Sequence, residues 1–568
     1  MFLKQSKYKT GRIFLSIMEG YRDPISKRPK QRTVKKIGYL DELVDQYPNP
    51  IEYFKNYAHQ LTVEKNQQLA KFELQIDPQE KMIANQNNRK NFGYAALSHI
   101  YHQLKLDQFI NNRSRHKKFG FNANTLFKNA VYSRILYPGS KKADFENRHL
   151  FFESTDYSLD DMYRNLDFIA DLENSCQTFL NQQIQANYGR KKDLVYYDVT
   201  NYYFEIDEPT NLQKKGVSKE HRPNPIIQMG LLMDQEGIPI SYRLYPGNTN
   251  DCLTYRPFIK QAKLDLGLGR IVVVADKAMN TGDNIWYTLS AKNGYVFSQS
   301  IRGASRALKD YVLNESDYTQ FGEGFKMKSR LEPRDIWVTM KSGKKKKVQV
   351  DEKQIVFYSE KYARRARFER AKALEKARKI VKNPGLYDHS TANGAVSYVK
   401  NLQFNKSTGE IFKPEHQLSI DEAKIAAEEK LDGYYMLLTS EIDKSDTEVL
   451  EMYRGLWQIE ENFKITKSDL LARPVFVRRE KRIRAHFLIC FVALTILRLI
   501  QRDLGYAYSA KRIAADLRKC EGTLFEKNLY VFSYFSPILA ALANKYQLPF
   551  DRKYLTQREI KKILSETK

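Results

Sequence analysis

The chain has 568 residues, 42% of them hydrophobic, which excludes a disordered protein and predicts three or four packed domains at about 150 residues each. Against 67 acidic residues stand 94 Lys and Arg, a formal charge of +27, and such an excess draws polyanions because each neutralised phosphate releases condensed counterions. An acidic membrane surface would attract the same charge, but no lipidation motif or lone basic amphipathic anchor is present, so nucleic acid is the expected partner.

The four cysteines, Cys176, Cys252, Cys490 and Cys520, lack CxxC spacing and fit reduced, buried thiols in a cytosolic protein. His99 and His102 lie three apart, a spacing more often incidental than metal-binding. The N-terminus lacks the apolar core of a signal peptide. The run Ala485 to Leu497 is closed by Arg484 and Arg498, too short to span a bilayer, and reads as a buried helix.

In chain order, residues 1–75 read as a basic β-hairpin or small sheet: Arg12-Ile-Phe-Leu-Ser-Ile-Met, a polar turn containing Pro, then Gln31-Arg-Thr-Val-Lys-Lys-Ile-Gly. Residues 76–190 read as helical, with apolar residues at helical spacing over Tyr94–Leu106 and Leu126–Leu136. Between them Asn111-Asn-Arg-Ser-Arg-His-Lys-Lys-Phe is expected as a basic loop. Both the hairpin from Arg12 to Ile37 and the helices of residues 90–140 are open as the segment that reads bases.

Residues 191–301 change pattern. Leu194 to Ile206 is rich in aromatic and β-branched residues and predicts a long strand, with Asp198 sharing a face with Leu194, Tyr196, Thr200, Tyr202 and Phe204. A hairpin follows from Ile226 to Tyr245 around Asp234-Gln-Glu-Gly. Tyr255 to Leu266 is expected as a helix with Pro257 in its first turn. Ile271-Val-Val-Val-Ala-Asp reads as a strand buried on both faces, with Asp276 at its carboxyl end, where open α/β sheets place ligands. Tyr295 to Ile301 is a further strand. Residues 302–440 interrupt this pattern as a basic β/α insertion, with Gly343-Lys-Lys-Lys-Lys-Val and a charged helix from about Lys361 to Val381. Residues 441–505 resume the core, and residues 506–568 read as a basic helical region.

The stretch Tyr453 to Lys467 has no Pro and a single Gly in its first turn, so it predicts one helix. Helical geometry then stacks Tyr453, Glu460 and Lys467 on one stripe, flanked by Leu456, Trp457, Phe463 and Lys464. Glu460 is expected among aromatics, where an unpaired carboxylate is costly to desolvate. Glu461 shares the opposite, solvated face with Arg454, Gln458 and Ser468.

Asp198, Asp276 and Glu460 taken singly read as salt-bridged or capping acids. Taken together they suggest more: strand, hairpin, helix and strand, with Asp on the first and last strands, is the order of an RNase H-like mixed sheet. Clustered carboxylates repel and call for cations. Oxygen ligands without Cys or His select Mg²⁺ or Mn²⁺. Two such ions about 3.5–4 Å apart could clamp the attacking and leaving oxygens of a phosphoryl displacement. The charge makes a DNA phosphodiester the expected substrate.

At these residues the sequence resembles bacterial insertion-sequence transposases of the DDE type, in the branch with a Tyr-Arg-Glu-Lys signature around the third acid. Tyr453, Glu460 and Lys467 match that signature, while Leu456 stands at its Arg position. Trp457-Gln-Ile-Glu, Phe463, His486-Phe-Leu-Ile-Cys-Phe-Val-Ala-Leu, Tyr197-Asp-Val-Thr-Asn and Val274-Ala-Asp-Lys are similar to the family too. The resemblance covers residues 190 to 500. It implies a multidomain α/β protein with an RNase H-like core, a β-rich insertion and mainly helical N- and C-terminal regions. It further implies that Asp198, Asp276 and Glu460 hold two Mg²⁺ ions. Water would then cut the transposon end and the freed 3′-hydroxyl would attack target DNA. By the same resemblance Tyr453, Lys464 and Lys467 would contact phosphates, Trp457 would stack on an unpaired base, and Arg222 would be a further DNA contact. Handling two terminal inverted repeats implies a homodimer. The competing readings are a DNA endonuclease of the same fold without strand transfer, and a catalytically silent DNA-binding protein.

Overall fold

The computed structural model describes residues 1–8, 11–22, 28–67, 79, 81, 87–206, 208–217, 223–382, 394–402, 417–525 and 528–567. The chain divides into two units, Met1–Gln86 and Asn87–Lys568. In the first, β1 (Phe2–Lys7), β2 (Ile13–Arg22) and β3 (Pro29–Tyr39) form an antiparallel sheet in the order β1-β2-β3. Period-two alternation on β2 puts Leu15 on the face that packs with Leu43 and with Phe54 of the helix Pro50–Gln67. The expected hairpin is therefore the larger part of a three-stranded sheet.

In the second unit β4 (Arg89–Asn91) precedes a run of helices, Tyr94–Gln103, Leu106–Ser114, Ala123–Leu136, Leu159–Ala170 and Glu173–Tyr188. The basic stretch expected as a loop lies partly within Leu106–Ser114. Then come β5 (Leu194–Tyr203), β6 (Ile226–Asp234), β7 (Pro239–Pro246), β8 (Val272–Ala275) and β9 (Gly294–Gln299). β5, β6 and β7 form an antiparallel meander; β8 lies parallel to β5, and β9 parallel to β8. That order and direction make the core RNase H-like.

The segment expected as an insertion is continuous with this core. It supplies β10 (Thr319–Gln320), β11 (Phe325–Leu331) and β14 (Lys353–Ser359) to the same sheet, while β12 (Arg334–Thr339) and β13 (Lys345–Val350) form a separate ribbon. The charged helix follows as Glu360–Lys382. Next come β15 (Val399–Leu402) and β16 (Gln417–Ile420), which pair with each other, and β17 (Tyr434–Thr439), which joins β14 to β9. The full sheet runs β10-β11-β14-β17-β9-β8-β5-β6-β7.

Two apolar layers enclose it. On one face Tyr197, Val273 and Ala275 pack with Tyr255, Phe258 and Ile259 of the helix Asp251–Leu266. That helix begins four residues before the expected start, capped by Asn250, so Pro257 lies beyond the first turn. On the other face Tyr196, Tyr202 and Val274 pack with the N-terminal helices and with Glu480–Asp503. This last helix is the only one among the described residues long and apolar enough to cross a membrane, and 94% of that stretch is buried inside the protein. The C-terminal region is not wholly helical: β18 (Glu521–Phe525), β19 (Leu529–Phe532) and β20 (Tyr554–Thr556) form a small sheet with β4.

Candidate active site

Parallel pairing sets the site. β5 and β8 pair Tyr197 with Ala275, and β8 and β9 pair Ala275 with Phe297. One step further along, Asp198, Asp276 and Ser298 fall in a row across three strands. Their preceding residues all bury on the face of the helix Asp251–Leu266, so alternation turns this row to the opposite face. There Asp276 Oδ1 accepts the Ser298 hydroxyl at 2.8 Å and the Lys277 backbone N–H at 2.7 Å. Asp198 Oδ1 accepts the Val199 N–H at 2.7 Å.

Over the same face runs the segment predicted as one helix, and the structure corrects that prediction. It is two helices, Asp446–Arg454 and Trp457–Lys464, followed by a π-helical turn over Ile465–Asp469. The break has a steric cause: a Cβ on Gly455 would lie 1.9 Å from the Tyr196 hydroxyl of β5. The backbone approaches the sheet as only glycine allows, and the chain turns there.

Tyr453 lies in the first helix, Glu460 in the second and Lys467 in the π-helical turn. Tyr453, in the first helix, is half-buried and hydrogen-bonded to Ser298. Burial pushes the Tyr453 hydroxyl above its usual range, Ser298 opposes the shift, and the carboxylates of Asp276 and Glu460 add to it. Both acids therefore act on one hydroxyl. Glu460 itself is exposed rather than desolvated among aromatics. Glu461, expected in solvent, pairs with Arg498 at 3.1 Å.

The second helix is fixed to its surroundings at several points. Asn462 donates to the carbonyl of Gly237 at 3.0 Å, in the β6–β7 turn, and Arg498 donates to the same oxygen at 3.1 Å. Thr466 and Tyr202 share a hydroxyl–hydroxyl bond of 2.7 Å. Lys467 Nζ donates to Thr200 Oγ1 at 2.7 Å, one same-face position along β5 from Asp198. Beyond the π turn, Arg134 reaches the carbonyls of Leu470 and Leu471, both at 3.3 Å, and His486 Nε2 lies 3.1 Å from that of Ala472.

Trp457 is 59% exposed and Lys464 is exposed. Leu456 packs half-buried against the core, while Arg454 is held by Glu451 at 2.5 Å. Arg222 lies outside the described residues. Sequence reasoning missed Ser298; the signal was the strand end Val296-Phe-Ser beside Val274-Ala-Asp, usable once the register is known. Among the described residues, no group of three or more His, Cys, Asp or Glu side chains is gathered closely enough to hold a metal. A cleft of about 620 Å³ opens beside Asp276, Ser298 and Tyr453 and is walled by Arg302, Tyr362 and Arg365.

Compared with known proteins, residues 207–496 match the family model of the transposase DDE domain, a stretch that contains Asp276 and Glu460 and begins nine residues after Asp198. Residues 3–73 match the N-terminal domain of IS1634 family transposases. A search of curated proteins gives no match. Among solved structures, a piggyBac transposase synaptic complex with hairpin DNA is similar at 9% identity and a TM-score of 0.36, covering 84% of each chain. A Mos1 mariner paired-end complex with Mn is similar at 13% identity over 25% of this chain and 50% of that one, with a TM-score of 0.11. The Mos1 paired-end complex with the left transposon end is similar at 12% over 42% and 70%, with a TM-score of 0.14. Since the DDE-domain match alone spans more than half of the residues, the chain belongs to the DDE-domain transposases, a family of polynucleotidyl transferases, and is of the IS1634 type.

Proposed function

We propose that this transposase cuts the ends of its insertion sequence and transfers the freed 3′-hydroxyl to target DNA, with Asp198, Asp276 and Glu460 as its catalytic acids. The observation that carries the reading is the row of Asp198 and Asp276 on adjacent parallel strands, beneath the helix that bears Glu460. Their donor set is all carboxylate oxygen, which suits Mg²⁺ or Mn²⁺. Mg²⁺ takes one or two carboxylates and fills its remaining positions with water and substrate phosphate. Bound there, divalent metal supplies a nucleophile at neutral pH and offsets charge on the phosphate.

The chain's own residues do the positioning. Ser298 holds Asp276 by one oxygen and leaves the other for the site. Tyr453 closes the row from above. Lys467, anchored on Thr200, brings positive charge to the side of Asp198 and would meet a backbone phosphate, as would Lys464. The exposed Trp457 ring is available to stack on a base. The cleft walled by Arg302, Tyr362 and Arg365 extends the path for the strand. Two ends handled together call for a homodimer.

The test is cutting of a labelled duplex that carries the element's own terminal repeat, in Mg²⁺ and in EDTA, by wild type and Glu460→Gln. Mg²⁺-dependent 3′ cutting that the variant loses supports the reading. Binding without cutting by either protein contradicts it and favours a silent DNA-binding protein.

A further inference from the structure

The first unit holds a device the catalytic reading does not use. β1 pairs with β2 only from Ile13 to Met18, whereas β2 and β3 continue to pair through Glu19↔Arg32, Gly20↔Gln31, Tyr21↔Lys30 and Arg22↔Pro29. Beyond Met18 the sheet is thus a two-stranded ribbon extending past its third strand. Register shifts at Leu15/Ser16 and Ile17/Met18 lie at its base, and bulges of this kind increase twist. Residues 28 to 36 are all exposed. Residues 1–40 carry 11 Lys and Arg against two acids, Glu19 and Asp23. Lys and Arg on an edge strand also discourage pairing with a second copy.

The ribbon's two faces differ. Alternation places Tyr21, Lys30 and Arg32 on one side, the last paired with Glu19 at 2.7 Å. On the other lie Gly20, Gln31, Thr33 and, past the bulge, Lys36. A Cβ on Gly20 would meet no atom within 4 Å, so this face is open. Of the helices in residues 90–140, Ala123–Leu136 buries every residue but Thr125 and Tyr94–Gln103 all but His99 and Gln103, while Leu106–Ser114 exposes Asn111, Asn112 and Arg113.

We propose that the β2–β3 ribbon is the segment that reads the transposon end, entering the major groove of double-stranded DNA with Gln31 on a base edge and Arg28 and Lys36 on phosphates. The B-DNA major groove admits a two-stranded β-ribbon, and Gln pairs in bidentate fashion with adenine there. The cations set register and affinity, and Gln31 sets sequence. This inference rests on the transposase reading, because it takes the terminal repeat as the ligand.

The test is fluorescence anisotropy of the full-length chain on two duplexes, the terminal repeat and a scrambled sequence, across a salt series. Gln31→Ala is expected to lower the preference for the repeat about 5- to 100-fold while leaving binding to the scrambled duplex unchanged. Arg28→Ala/Lys36→Ala is expected to weaken both duplexes alike and to reduce the slope of log affinity against log salt by about 1.8. If wild type prefers the repeat and both variants bind as it does, the ribbon is not the reader and the transposase reading stands. A change of oligomeric state in the double variant, with DNA binding intact, also overturns the proposal in favour of a second copy. Should wild type itself show no preference for the repeat, the proposal and the end-cutting reading fail together.

Discussion

Ser298 decides how firmly the second acid is held. Its hydroxyl is the only side-chain donor on Asp276 among the described contacts, and a hydrogen bond to a charged group contributes about 1.5–3 kcal/mol. Ser298→Ala is expected to lower the cutting rate about 10- to 100-fold, with end binding unchanged, as measured by single-turnover cleavage beside anisotropy. Equal loss of binding would show that Ser298 contacts DNA instead. That Asp198 lies within a strand and Asp276 just past the end of one was legible in the sequence; the place of Ser298 beside Asp276 was not, because register between strands is not written in either of them. Glu461 was misjudged for a related reason. Its phase was counted through Gly455 as if the helix were continuous, whereas it meets the Arg498 guanidinium, which is 2% exposed. Breaking such a pair strands a buried charge, and since Glu461 keeps 27% exposure the cost falls to about 2 kcal/mol, below the usual 3–5. Glu461→Ala should lower the unfolding free energy measured in urea by that amount and spare the cutting rate of the folded enzyme.

At the scale of elements, the junction at Gly455 governs where Glu460 sits. Helix propensity alone would make Gly455→Ala stabilising by about 1 kcal/mol. The added methyl, however, would fall on the Tyr196 ring, and overpacking costs about 1–3 kcal/mol. Gly455→Ala is therefore expected to lower thermal stability and reduce cutting; a raised melting temperature would contradict the packing account. Strands β5 to β9 and the buried helix Glu480–Asp503 could be read from composition, since unbroken apolar runs permit few alternatives. The same runs could not show that β11, β14 and β17 extend the catalytic sheet, because pairing partners lie up to 86 residues apart between β14 and β17 and up to 143 between β9 and β17. The short strands β18 to β20 were hidden by length, three to five residues each among helices.

At the scale of the whole molecule, the buried helix Glu480–Asp503 carries His486, whose pKa burial depresses far below the usual value, with the Arg134 and Lys141 cations acting in the same direction. The unfolded chain takes up a proton near pH 6.5 that the folded chain refuses, so stability is full above that pH and declines as pH falls through it. The slope is at most about 1.4 kcal/mol per pH unit for this one group. Urea unfolding at pH 7.5 and 5.5 should show a smaller acid loss in His486→Gln than in wild type, by about 1 kcal/mol; equal losses would mean that His486 is protonated in the folded protein. The +27 charge predicted a nucleic-acid partner from totals alone, and the family match agrees with it. The central claim remains that Asp198, Asp276 and Glu460 form one catalytic centre. Joining of a pre-cut terminal-repeat end to plasmid DNA in Mg²⁺ tests it most directly, with wild type, Asp198→Asn, Asp276→Asn and Glu460→Gln compared at equal end binding. Wild type should join, and each variant should lose joining by at least about 1,000-fold while binding the end normally. Joining at the wild-type rate by any one variant would remove that residue from the centre and contradict the account.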